Sequence, residues 1–565
     1  MDNLLNETKF EEHIAGYLAG SDLYNQRSSS QFDIEKLCDV EMLEQFLRQQ
    51  PVVWNKLTKH FSGQEVATVI REYNKRIDRG ESILTIMRKG FTISGAKVKF
   101  CQFKPVLEGE GTDNYRLYRA NRFSVVRQMR YSLGKDSGNE LDLCILLNGI
   151  PLFTFELKNE GSDQNYTHGI LQYKRHRDPH NRMLRNCLVH FVMDNQYAFM
   201  TTFLNGEETT FLPFNQETVN PPIEGEYPTA YMWRRVLQAD SILDLLENFI
   251  KRYDEYYEDK DTKEQKKRTV VIFPRFHQLR AVRKLRGLVR EEGSGHNYLI
   301  QHSAGSGKTK TMAWLAHQLA NMTNPDGTAI FDSIIMVTDR IVLNRNMAED
   351  VVNFEVTAGT VKDIRKGSRK LADALNGENR IIISTVQKFA FALDYLKHEK
   401  SKKYAIIVDE AHTAIGNEAA KDLVSALSTQ EDLEKIGDYE PDEYDSPLDA
   451  LMAQMQNYRK MMNHISYFAF TATPKDKTYV LYGKNGKSAH DLYSMKQAID
   501  EKFILDVTQN YVSYKTKFEL IEKHPDEDKD KLFEQKKALK VIGEWLGKNK
   551  YIKLRKASMI VDQFM

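Results

Sequence analysis

Asp142, Glu156 and Lys158 flank a stretch that otherwise reads as buried. Glu140–Asn159 is ELDLCILLNGIPLFTFELKN, two apolar runs around Asn148-Gly149, the pattern of a β-hairpin. Charges cost free energy in such strands, so their presence asks for a reason. D-x13-E-x-K offers two carboxylates for a divalent cation, Mg2+, and a lysine beside an attacking water, which is what cutting a phosphodiester needs. Glu156 and Lys158, two apart, share a strand face. Asp142 shares it only in one register. A plain two-residue turn sets Asp142 opposite Phe155 and points it away, whereas a shift of one residue sets it opposite Glu156. A metal site therefore predicts a bulge or an odd-length loop. The competing reading is a surface hairpin with charged ends.

A second set of residues reads as a nucleotide site. In QHSAGSGKTKT, Gln301–Thr311, the core Gly305-Ser306-Gly307-Lys308-Thr309 follows an apolar strand and opens a helical run. Glycines let backbone N–H groups curl around phosphates, and the helix N-terminus adds its positive dipole end. Lys308 reaches the β/γ-phosphates of ATP in this pattern, and the Thr309 hydroxyl ligates Mg2+. The strict motif has glycine where this chain has His302. In VDEAHT, Val408–Thr413, Asp409 ends an apolar strand, placed to hold Mg2+, and Glu410 is placed to orient and deprotonate water. His412 in that run, with Thr471 and Thr473 after another strand, are candidates for linking nucleotide state to a neighbouring domain.

These motifs need strands and helices to hold them. The 565 residues suffice for three or four domains, and 41% hydrophobic with 28% charged residues is a soluble globular composition. A formal charge of +1 gives no global bias toward polyanions, so a nucleic-acid surface must be local. Arg116, Arg119, Arg122, Arg127 and Arg130 are candidates for a positive stripe. The scattered Cys38, Cys101, Cys144 and Cys187 include no CxxC pair, which argues against a zinc site or disulfide framework and fits a cytoplasmic setting. No apolar run approaches the length that spans a bilayer. The charged run Tyr253–Arg268 has the composition of a linker or an exposed helix end. After it, NYLIQH, SIIMVTD, RIIISTV, YAIIVDE and SYFAFTATP alternate with helical segments, implying a parallel sheet covered on both faces. The expected division is 1–252, a nuclease-like domain; 253–268, a linker; 269–475, a motor lobe; and 476–565, a bridging segment with the start of another α/β lobe.

GSGKT, DEAH and TAT together resemble the first three motifs of superfamily 2 helicases and translocases, with RecA-like lobes. That resemblance implies that Gln278, in FPRFHQLRAV, reads adenine, and that Arg340 and Thr385, in TDRIVL and STVQKF, contact DNA phosphates. The hairpin resembles the mixed-sheet PD-(D/E)xK nuclease core, whose first helix often adds an acidic residue: here Glu11 or Glu12, with Glu11 favoured. In order along the chain, the two resemble the restriction (R) subunit of type I restriction-modification enzymes. This includes NRFSVVRQ and the run SMKQAIDEKFILDVTQNY, Ser494–Tyr511. The family has a Gln-x-x-x-Tyr element after the lysine. Tyr173 matches it, but Gly169 stands where the glutamine belongs, with Gln172 nearby, so either the element is incomplete or a neighbour substitutes.

The resemblance implies ATP and Mg2+ as cofactors, duplex DNA as substrate, methyltransferase and specificity subunits as partners, and sequence-indifferent, salt-sensitive phosphate contacts. It also implies a longer chain, whose second lobe supplies arginine fingers worth roughly 10³ to 10⁵ in phosphoryl-transfer rate. The expectation is that this chain alone binds ATP and hydrolyses it slowly. Alternatives are a stand-alone superfamily 2 helicase or type III-like restriction subunit, and a truncated, non-catalytic DNA-binding or assembly subunit.

Overall fold

Phe10, Ile14 and Leu18, four residues apart, bury one stripe of the first helix, α1 (Glu7–Ala19), and lay it against a mixed sheet. The computed structural model of the chain describes residues 7–107, 109–133, 138–159, 161, 164–258, 263–338, 341–354, 360–363, 368–377, 379–385, 402–409 and 464–506. The sheet's strands are β1 (Tyr24–Arg27), β2 (Phe123–Arg130), β3 (Glu140–Leu147), β4 (Ile150–Leu157), β5 (Val189–Met193), β6 (Ala198–Thr201) and β7 (Leu212–Pro213), side by side in that order. β1 runs parallel to β2 and β4 parallel to β5, and the other pairs are antiparallel. Every residue of β4 is buried, Glu156 included, which explains its almost wholly apolar sequence. The helix α2 (Tyr166–Arg175), capped by the Asn165 side chain, crosses the face that carries Glu156 and Lys158.

The described residues of the charged run form neither coil nor helix end but part of an antiparallel ribbon of β8 (Lys251–Glu258) and β9 (Gln265–Ile272). Opposite charges face each other across it, Lys267 with Asp254 and Arg268 with Glu255, so the charge pattern that suggested a solvated coil is cross-strand pairing.

All five apolar runs of the second half are strands. They form β10 (Asn297–His302), β11 (Ser333–Thr338), β13 (Ile381–Thr385), β14 (Tyr404–Val408) and β15 (Ile465–Thr471), joined by two short strands that the sequence did not announce, β12 (Val361–Asp363) and β16 (Asp491–Tyr493). The order is β12-β13-β11-β14-β15-β10-β16, and every pairing is parallel. The helix α3 (Phe276–Glu292) precedes β10, and α4 (Lys308–Ala320) follows it. One apolar core runs from Phe10 to Phe470 without a break at the expected boundary. At that boundary Trp314 of α4, fully buried, donates its indole N–H to the Phe249 carbonyl at 2.7 Å. Of the segment 476–565, expected to bridge and to begin another lobe, residues 507–565 lie outside the described residues. Among the described residues no helix is long and apolar enough to cross a membrane.

Candidate functional site

The hairpin meets the register condition by a bulge, one of the two expected devices. Its turn is the tight two-residue one, with Asn148 and Gly149 at φ 49° and 82°. Leu147 pairs with Ile150 and Leu146 with Pro151, but Ile145 then pairs with Phe153, Cys144 with Thr154 and Leu143 with Phe155. A bulge at Leu152 thus provides the one-residue shift, and the same offset carried one residue past Leu143–Phe155 sets Asp142 opposite Glu156. On its other side β3 pairs with β2, where the ladder passes from Arg127–Leu143 to Met129–Leu141 and skips Gln128, held at φ 45°. A non-glycine residue in that region is strained, and such strain gathers at functional sites.

Asp142, Glu156 and Lys158 come together, nearly or fully buried. Asp142 Oδ2 accepts the Leu157 N–H at 2.6 Å and lies 3.6 Å from Lys158 Nζ. Burial pushes the Asp142 carboxyl up to about 6 against the pull of Lys158. Burial, and then the charge of Asp142, push Glu156 up to about 8 against the pull of Arg177. Burial opposes the charge on Lys158, yet Asp142 and Glu7 hold its pKa above the ordinary value.

Two of the groups that complete this cluster were not singled out by sequence. Glu7, one turn before Glu11 on the same face of α1, reaches Lys158 Nζ at 3.1 Å. Glu11 is buried, but both its oxygens are taken, by Arg127 Nε at 2.6 Å and Gln128 Nε2 at 2.7 Å. Arg177, just past α2, donates Nε to Glu156 Oε1 at 2.7 Å and Nη2 to the Glu140 carbonyl at 2.6 Å. No motif flagged it. Tyr173 of α2 meets the same strand face two residues before Glu156, its hydroxyl 2.7 Å from Thr154 Oγ1. At position 169 a Cβ would lie 2.7 Å from Val192 Cγ1 and 3.6 Å from Glu156 Cβ, so a glutamine there would have to displace Val192 or the helix. Gln172 is only half-buried.

A divalent cation fits this chemistry. Glu156 Oε2 is buried and has no hydrogen-bond partner, and burial leaves both carboxylates poorly solvated, so a cation would find a free oxygen there. The described residues hold no cluster of three or more metal-binding His, Cys, Asp or Glu, so the ligands available are the two hairpin carboxylates.

The expected arginine stripe does not stand free. Arg116 pairs with Asp113, Arg119 with Asp22, Arg127 with Glu11 and Glu12, and Arg130 with Glu140, while Arg122 donates to the carbonyls of Arg119 and Asn121.

In the second half, the loop from β10 to α4 turns on Gly305 and Gly307 at φ 74° and 81°. Lys308, buried, points back to the Ser303 carbonyl at 3.4 Å, and Thr309 is half-buried at the head of α4. The Ser306 hydroxyl is buried without a partner. Gln278 touches this loop directly. Its Nε2 donates to the Gly307 carbonyl at 3.1 Å and its Oε1 accepts the Arg275 N–H at 2.9 Å. His277, not anticipated, sits 3.1 Å from the Ser306 carbonyl and stacks on Tyr493. His302 lies 2.8 Å from Asp491, which also takes Arg280, so the residue in the glycine position ties β10 to β16. Asp409 follows β14 and donates its N–H to the Val337 carbonyl. Thr471 closes β15 with its Oγ1 accepting the Thr473 N–H at 3.2 Å, and Thr385 ends β13, buried. Arg340, Glu410 and His412 lie outside the described residues.

Two family models match the two halves. Residues 24–217 match the type I restriction enzyme R protein N terminus, and residues 277–540 match the SWI2/SNF2 ATPase. The type I restriction enzyme SsaAORF53P endonuclease subunit of Staphylococcus saprophyticus is 21% identical over 414 residues, 70% of this chain and 37% of that one. By these matches the chain is similar to the R subunits of type I restriction enzymes. A second relative, the type I restriction enzyme SauCOLORF180P endonuclease subunit of Staphylococcus aureus, is 25% identical over 307 residues, 52% of this chain and 29% of the relative. The chain spans well under half the length of those relatives. Among solved structures, the UvsW helicase of bacteriophage T4 aligns at TM-score 0.24 and 15% identity over 39% of this chain and 59% of that one, an overlap too loose to argue from.

Proposed function

We propose that Asp142, Glu156 and Lys158 form a PD-(D/E)xK-type nuclease centre, and that the second half is the ATP-driven motor that pumps duplex DNA to it. The bulge at Leu152 is the observation that carries the reading, since it brings Asp142 level with Glu156 where a regular hairpin would part them. Asp142 and Glu156 would hold Mg2+, which supplies charge stabilisation at a phosphate. Lys158, held between Asp142 and Glu7, would orient the water that attacks phosphorus. Glu7, rather than Glu11, is the acidic support from α1. Tyr173 and Thr154 brace the strand face.

In the motor, the N–H groups of Gly305, Ser306 and Gly307 would cradle phosphates, Lys308 would reach the β/γ-phosphates, and Thr309 with Asp409 would hold Mg2+. Gln278 would position that loop through Gly307 and exchange partners to read adenine. Glu410 would activate water, His412, Thr471 and Thr473 would transmit nucleotide state, and Arg340 and Thr385 would meet DNA phosphates. Recognition of the DNA sequence belongs to a specificity subunit, with a methyltransferase subunit completing the complex in the cytoplasm.

The test is cleavage of unmodified supercoiled plasmid by the chain assembled with those two subunits, with ATP and Mg2+. Asp142→Ala, Glu156→Ala and Lys158→Ala should each abolish cleavage and leave DNA-stimulated ATPase unchanged. Cleavage that survives Glu156→Ala would defeat the nuclease assignment.

A further inference from the structure

We propose that Arg177 is a DNA-released latch on the candidate metal centre: it occupies Glu156 until duplex DNA phosphates draw it away and free that carboxylate for a divalent cation. The proposal rests on the nuclease reading above and adds regulation to it.

Arg177 and Glu156 are both buried, and they meet at 2.7 Å. The guanidinium uses two nitrogens on one oxygen, Nε donating to Oε1 and Nη2 also 2.7 Å from it, and leaves Oε2 without a partner. A cation of the protein's own therefore sits on a carboxylate that a metal needs. A buried ion pair of this kind is held firmly unless another anion takes over the guanidinium, because stripping one partner leaves the other charged and unsolvated.

Such an anion has a place to arrive. Arg177 forms part of the wall of a cavity of about 300 Å³, next to Lys174, Arg175, His176, Asn139 and Tyr131. Arg175 and His176 are exposed and Lys174 is half-buried. Arg175 pairs with Glu207 at 2.7 Å, and Asp178 also borders the cavity, so the opening is basic on balance rather than uniformly. A planar guanidinium pairs with a phosphate as readily as with a carboxylate, and in the same two-pronged geometry. Arg177 also lies just past the last turn of α2, where a change of side-chain rotamer does not require the helix to move. The exchange is a swap of anions on one cation: a phosphate oxygen replaces Glu156 Oε1 on Arg177, and Glu156 turns both oxygens to the metal. Cleavage competence would then follow DNA occupancy, which keeps an idle centre unloaded.

The test is Mn2+ binding, followed by electron paramagnetic resonance, to the whole chain without nucleotide, so that the motor site offers no phosphate to share the ion. The pH is set above the Glu156 range of about 8. The parent chain should bind Mn2+ weakly alone and roughly tenfold tighter or more with a short duplex. Arg177→Gln should bind without DNA as tightly as the parent does with it, and gain little from the duplex. Arg177→Lys, which keeps the charge but not the two-pronged contact, should fall between them and serves if the glutamine variant unfolds. An Arg177→Gln chain that binds no tighter than the parent, while Glu156→Gln loses the ion, would overturn the latch and leave the nuclease reading standing. If Glu156→Gln binds Mn2+ like the parent, the nuclease reading fails and the latch with it.

Discussion

Gly169 and Val192 meet so closely that a methyl group on the glycine would lie 2.7 Å from Val192 Cγ1. The contact seats α2 on the strand face beside Glu156 and Lys158, and it accounts for the missing glutamine of the family's tyrosine element. Gly169→Ala should cost about 1–3 kcal/mol through overpacking, net of alanine's better helix propensity, and Gly169→Gln more. Chemical denaturation measures this. Restoring the family's glutamine should lower plasmid cleavage in the assembled complex rather than raise it.

Glu156, raised to about 8 by burial and by Asp142, makes stability depend on pH. Its folded pKa lies above its unfolded value of about 4.3, so its contribution is fully present below that value and is lost as pH rises through about 8. The metal-free chain should melt at lower temperature at pH 8 than at pH 6, and Glu156→Gln should flatten that fall. Circular dichroism melts at the two pH values decide it, and an unchanged slope in the variant would remove Glu156 as the cause. Mg2+ should restore stability chiefly at the higher pH, where both carboxylates are charged.

Gln278 bonds the carbonyl of Gly307, the residue before Lys308. Lys308→Ala should abolish Mg2+-ATP binding by calorimetry. Gln278→Ala should weaken it by roughly tenfold, because the loop loses its brace while its phosphate donors remain.

Trp314 donates to the Phe249 carbonyl, so the nucleotide-loop helix and the hairpin-bearing half share a buried hydrogen bond. Trp314→Phe leaves that carbonyl unsatisfied and should cost about 1–3 kcal/mol in unfolding free energy. Hydrogen exchange should rise in both halves; a rise confined to α4 would contradict the coupling.

The motor strands were legible in the sequence because buried parallel strands are uninterrupted apolar runs, as IIIST and YAIIV are. The hairpin was legible only conditionally. The spacing of Asp142 and Glu156 demanded a register shift, but nothing in LLNGIPL says that the extra residue is Leu152. Glu7 and Glu11 occupy one helix face a turn apart, and only the tilt of α1 on the sheet decides which of them meets Lys158. Arg177 is separated from Glu156 by 21 positions and a whole helix, and no local pattern distinguishes it from the exposed arginine two residues before it. The strands Lys251–Glu258 and Gln265–Ile272 were not legible because a charge-rich run looks alike in a coil and in paired strands.

Manganese anomalous diffraction from crystals of the chain grown with duplex DNA tests the central claim most directly. The account predicts a peak within roughly 2.0–2.6 Å of carboxylate oxygens from both Asp142 and Glu156, lost in Glu156→Gln crystals. Anomalous density confined to the nucleotide loop, with Asp142 and Glu156 bare in the presence of DNA, would contradict it.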